Sequence, residues 1–128
     1  MKKLLTLGII MAFLMILIDS CQYKDIVEPV IPPNPLDTVY FSHDILPIFN
    51  DGSNCVSCHN AAGTRPDLTL EVAFAEITNM GLIDTNNPTE SLIYSFPNPD
   101  TDTHTWKKYT DVQATTILQW IEQGALDN

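Results

Sequence analysis

Positive charge is scarce in this sequence: 6 Lys and Arg stand against 16 Asp and Glu in 128 residues, for a formal net charge of −10. Nucleic acid is excluded as a partner on that ground, because binding a phosphate backbone depends on cations that neutralise it. The charged partners that remain are proteins with basic patches, met by long-range steering. The plainer alternative is acidity that only keeps the chain in solution. Cysteine is also scarce, with Cys21, Cys55 and Cys58 alone, so one close pair is all the sequence offers. No segment reads as a strand, no internal repeat is visible, and no pairing of a catalytic acid with a base stands out. Long apolar runs are missing except between Leu7 and Ile18.

That run follows Lys2-Lys3 and ends at Asp19-Ser20-Cys21. It is shorter than the roughly twenty apolar residues of a spanning helix, and residues 1–20 therefore read as a secretory signal peptide. Ile18-Asp19-Ser20-Cys21 resembles the box of bacterial lipoproteins, which are cut just before a cysteine that carries lipid; Asp19 departs from the small residue usual there. The resemblance implies lipidation of Cys21 and a membrane anchor through it, with several acyl chains each contributing about 0.8 kcal/mol per buried methylene. Gln22 in place of aspartate after that cysteine favours the outer membrane, on its periplasmic or surface face. A plain cleaved signal with Cys21 as a spare thiol is the alternative. Removal of Lys2, Lys3 and Asp19 leaves 4 basic and 15 acidic side chains and a net charge of −11.

Residues 21–35 continue with four prolines and no glycine, an extended tether of some 40 Å at about 3.1 Å per residue. The domain proper spans residues 36–128 and is expected to be all-α. Phe41, Ile45, Ile48 and Phe49 share one helical face, with Asp44 as the expected N-cap, Pro47 in the first turn and a stop at Asn50-Asp51-Gly52. Leu70, Ala73, Phe74 and Ile77 predict a second helix capped by Thr69 and ended near Gly81. Asn87-Pro88 opens a short turn through Tyr94. The clearest helix is the last: Thr110 and Gln113 form a capping box, Ala114, Ile117, Leu118, Ile121 and Ala125 form the stripe, and Gly124 marks the C-terminal end. Between Phe96 and Tyr109 lies a long polar loop, a type that is often functional.

The close pair is the chemical signal. Cys55-Val56-Ser57-Cys58-His59 places two thiols three positions apart with a histidine directly after the second, the pattern of covalent haem attachment. The sulfurs form thioethers on one edge of the porphyrin and the imidazole serves as proximal iron ligand. Two other readings stay open at this point. A thioredoxin-like redox pair needs a βαβ context, and a structural zinc site needs a second pair of ligands, whereas His43 and His104 are isolated.

FSHDILPIFNDGSNCVSCHN, PDLTL, NPTESLIY and YTDVQATTILQWIEQGALDN, in that order, resemble the small class I cytochromes c, and most closely the planctomycete-type cytochrome c domains. The resemblance covers nearly all of residues 41–128. It implies a cytochrome c-like domain whose N- and C-terminal helices cross around one covalent haem c, with Ile45, Phe49, Leu118 and Ile121 near the crossing and Trp120 near the haem edge. It also implies electron transfer with protein redox partners. The family's Met-Pro ligand dipeptide is missing from the loop before the last helix. His104 stands near that place, six residues before Thr110, and is the expected sixth ligand; Met80, or no protein ligand at all, are the alternatives. An open sixth position would suit a peroxidase or gas sensor, and a third reading is an accessory haem module of a cell-surface assembly.

Overall fold

The computed structural model describes Asn34 and residues 37–128. The signal segment, Cys21 and most of the tether lie outside the described residues. Among the described residues there are helices and turns but no strand, in agreement with the all-α expectation, and no helix is long and apolar enough to cross a membrane. A wide π-helical turn over Phe41–Ile45 leads into α1, Leu46–Asn50, and a 3-10 turn over Asp51–Ser53. Then come α2 (Ala73–Asn79), a 3-10 turn at Pro88–Glu90, α3 (Leu92–Ser95) and the longest helix, α4 (Asp111–Glu122).

Asp44 is not the cap of the first segment. It lies inside the π-helical turn and its carboxylate reaches back to accept the Tyr40 N–H at 2.7 Å, so the cap position falls on Tyr40, four residues earlier. Phe41 is drawn in because its ring packs against Phe74 and Trp120, with centroids 5.1 and 5.3 Å away. Pro47 does fall in the first turn of α1, and Gly52 adopts φ +62° just beyond its end.

The second helix is also shorter than its pattern predicts. Asp67 accepts both the backbone N–H and the hydroxyl of Thr69, at 3.0 and 2.7 Å, which commits Thr69 to a turn instead of a helix cap. Helix α2 therefore starts at Ala73, and Leu70 is left 60% exposed. Asn87 does stand at the N-cap position of the 3-10 turn with Pro88 directly after it, but its side chain caps no backbone N–H and donates to Asp84 instead, and Ser91, with ψ 124°, splits the segment into the 3-10 turn and α3.

Helix α4 behaves as its sequence dictates. The Gln113 N–H donates to Thr110 Oγ1 at 3.2 Å and the Thr110 N–H donates to Gln113 Oε1 at 2.9 Å. At the other end Gly124, at φ +99°, gives its N–H to Ile121 O while Ala125 gives its own to Trp120 O, a Schellman closure. Ile45, Phe49, Ile77, Ile117, Trp120 and Ile121 are wholly buried, each contributing about 1.5–3 kcal/mol of apolar transfer. The two ends of the domain meet: Phe41 N–H donates to Asn128 Oδ1, Ser42 N–H to Asn128 O, and Val39 N–H to Gln123 Oε1. This seam fixes the start of the domain against α4, leaving the segments between them to form a cleft on another side.

Candidate functional site

The cysteine turn is wound tightly onto the end of α1. Phe49 O accepts the Cys55 N–H at 2.9 Å, and Cys55 O in turn accepts the N–H groups of Cys58 and His59 at 3.1 and 2.9 Å. One helical turn thus carries both thiols and the imidazole. The following loop folds back over it: Thr64 N–H donates to Cys58 O at 2.8 Å, and Leu68 N–H to His59 O at 3.0 Å. This return is tight enough to require glycine at 63, where a Cβ would stand 2.1 Å from the Cys58 carbonyl oxygen. Glu76 on α2 anchors the loop through an ion pair with Arg65 and a 3.4 Å bond from Asp67 N–H.

The folded-back loop also orients the histidine. His59 Nδ1 lies 3.2 Å from the Pro66 carbonyl oxygen, which has no proton to give, so Nδ1 is the donor and Nε2 keeps its lone pair free for a metal.

The turn faces a cleft of about 490 Å³, within the range of small-molecule and cofactor pockets. Cys55, Cys58, His59, His104 and Met80 all line it, so residues 45 positions apart in sequence share one site. Its walls are mostly apolar, with Leu68, Leu82, Ile93 and Phe96 among them. Burial pushes the Cys55 thiol above its ordinary pKa, with the Lys107 charge acting in the opposite direction. Tyr109 is buried against the same cleft, donates its hydroxyl to Ile93 O at 2.8 Å, and is driven well above the ordinary phenol pKa by that burial. It is a neutral, fixed wall.

The rings of His59 and His104 lie with centroids 6.1 Å apart and planes inclined by 30°. Two imidazoles on opposite sides of one metal ion, each bonded at about 2.0–2.1 Å with its ring centre roughly 1.1 Å behind the bonding nitrogen, are separated by about 6.2–6.4 Å. The observed 6.1 Å falls just short of that span. His104 is braced edge-on by Phe96 at 5.8 Å, and its Nδ1 accepts a long 3.4 Å bond from the Lys107 N–H. Ligation through Nε2 would require the proton on Nδ1, and that bond would then be given up.

Trp120, expected near the haem edge, does not line the cleft. It is wholly buried behind it, between Phe41 and Phe74, and its indole N–H donates to Leu126 O at 2.9 Å. His43 is exposed and bonded to its neighbour Asp44. Among the described residues no group of three or more His, Cys, Asp and Glu is arranged to hold a metal ion. An axial haem site asks for only one or two such ligands, and the cleft's apolar walls, paired thiols and free His59 Nε2 fit a porphyrin. Tyr109, Pro66, Gly63 and Trp106 were not singled out by sequence; of these only Trp106, an aromatic set between His104 and Lys107-Lys108 in a polar loop, carries a visible signal.

No protein-family model, curated protein or solved structure matches the chain.

Proposed function

We propose that this protein is a single-haem c-type cytochrome, exported and lipid-anchored through Cys21, that passes one electron at a time between protein partners at the bacterial membrane. The observation that carries the proposal is the cleft in which the cysteine turn and two histidine rings 6.1 Å apart converge. Cys55 and Cys58 would hold the porphyrin as thioethers, His59 would bind iron on the proximal side, and His104 on the distal side. Haem bound there supplies a reversible Fe(III)/Fe(II) couple whose potential the ligands and surroundings set. The chain's own contribution is positioning. Pro66 holds the His59 ring in the ligating tautomer. Leu68, Leu82 and Ile93 keep water from the centre, and Tyr109 presents a hydroxyl that stays protonated. A second imidazole in place of a thioether favours Fe(III), so the potential is lower than that of His/Met relatives.

A second reading is favoured by the Lys107 contact. With Nδ1 accepting, neutral His104 carries its proton on Nε2 and would act as a distal hydrogen-bond donor over an open iron position, as a peroxidase or gas sensor needs. Optical spectra of the purified protein, oxidised and reduced, separate the two. Electron transfer through bis-histidine iron predicts low-spin spectra in the parent and high-spin, imidazole-binding iron in His104→Ala. A high-spin parent that binds carbon monoxide would favour the open site; a His104→Ala protein that stays low-spin would transfer the ligand role to Met80.

A further inference from the structure

The basic side chains are not spread over the surface. Beyond residue 20 the chain has 4 of them against 15 acidic ones, yet three of the four, Arg65, Lys107 and Lys108, line the cleft, and no Asp or Glu lines it. Arg65 is paired with Glu76, and Lys108 lies 3.4 Å from Asp102. Lys107 has no ion pair among the described residues: its ammonium donates to Asn54 O at 3.3 Å, one residue from Cys55. Beside it Trp106 is 86% exposed on the same rim. An unneutralised cation and a bare indole next to the attachment cysteines form a local surface opposite in sign to the rest of the molecule. A haem attached at Cys55 and Cys58 would carry its propionates on the edge away from its former vinyl groups, so they would not neutralise Lys107 beside Asn54.

We infer that the Trp106–Lys107 rim is the docking face for a protein partner with an acidic, carboxylate-rich patch, held by Lys107 at the centre and by Trp106 against its apolar contacts. The inference rests on the proposed haem function for what the contact transfers. It reverses the partner sign that net charge suggests. At about 0.1 M salt the Debye length is about 10 Å, so a partner at this rim feels the unpaired Lys107 while carboxylates beyond that distance are screened.

The test uses the reduced, haem-loaded protein and hexacyanoferrate(III), a small anionic oxidant. If net charge governed approach, the oxidation rate would rise with salt; a basic docking face predicts the reverse. We expect the rate to fall several-fold from about 0.01 to 1 M ionic strength, as the Debye length shrinks from about 30 to 3 Å. Lys107→Glu should remove most of that fall, and Lys107→Gln part of it. Glu122→Lys, an equal charge change on exposed α4 away from the cleft, should leave it in place. Poly-L-glutamate should slow the oxidation and poly-L-lysine should not. A parent rate that rises with salt, or equal and opposite effects of Lys107→Glu and Glu122→Lys, would overturn the docking face. Haem content measured on the same samples keeps the two claims apart: protein without covalent haem refutes the functional proposal, whereas loaded protein with the wrong salt dependence refutes only the docking face.

Discussion

Gly63→Ala probes the joint on which the site depends. A methyl group at 63 would lie 2.1 Å from Cys58 O and 3.1 Å from Cys58 C, where ordinary contacts begin near 3.4 Å, so the two backbones must part by more than an ångström. The obstacle is a rigid carbonyl and no side-chain rotamer relieves it. Parting them breaks the 2.8 Å bond from Thr64 N–H to Cys58 O and pulls Pro66 O away from His59 Nδ1. The lost backbone bond costs about 0.5–1.5 kcal/mol and the overpacking about 1–3 kcal/mol, a total of roughly 2–4 kcal/mol. For a domain of this size that is a fall in Tm of roughly 8–30 °C. Thermal melts followed by far-UV circular dichroism read the stability, and the Soret band in the same samples reads the iron environment. Unchanged melting together with an unchanged Soret band would refute the claim that the 60–68 loop clamps the cysteine turn.

Thr110→Ala removes half of the α4 capping box and should cost about 1 kcal/mol, lowering Tm by about 4–8 °C; a melt that does not move would mean the N-terminus of α4 is held by other contacts. Acid should loosen the site loop. The Thr69 hydroxyl and N–H hold the Asp67 carboxyl below its ordinary pKa, and the hydrogen bond and charge of Arg65 do the same for Glu76. Depressed carboxyl pKa values stabilise the fold above the unfolded values of about 3.9 and 4.3, and that contribution is lost as pH falls through the lower, folded values. Glu76→Gln should therefore lose less stability below pH of about 4 than the parent does, and identical acid profiles would remove the Arg65–Glu76 pair from the account. At the membrane end, mass spectrometry of the mature N-terminus should find Cys21 acylated; an unmodified start at another residue would sink the lipid anchor and leave the haem proposal standing.

What the sequence made legible was local. The α4 cap, most of its stripe and its glycine stop involve residues within four or five positions of one another and appear as read, except that Leu118 is only half-buried while Gln119 and Trp120 join the buried face. The apolar face of the first segment was equally readable, but its start was not, because Phe41 is recruited by Phe74 and Trp120 from far along the chain. The same long-range packing accounts for Trp120: its neighbours come from three separate segments, and no pattern in α4 says which side of the core its ring will face. The start of α2 was lost to Asp67, whose competing bonds to Thr69 depend on a side-chain geometry that spacing does not reveal. At the site, the thiols and His59 were legible from a five-residue motif. His104 was the expected partner of His59 through the family resemblance and its place six residues before Thr110, but a loop without period gave no sign of how its ring would be set, and Gly63 showed its role only through the carbonyl it meets.

The central claim is covalent haem on the cysteine turn, and it is tested most directly by denaturing the purified protein and asking whether haem stays on the chain. The account predicts that haem survives acid-acetone extraction, migrates with the polypeptide on a denaturing gel stained for haem peroxidase activity, and is lost in the Cys55→Ala, Cys58→Ala double variant. Haem that leaves the intact parent chain under those conditions would contradict the account.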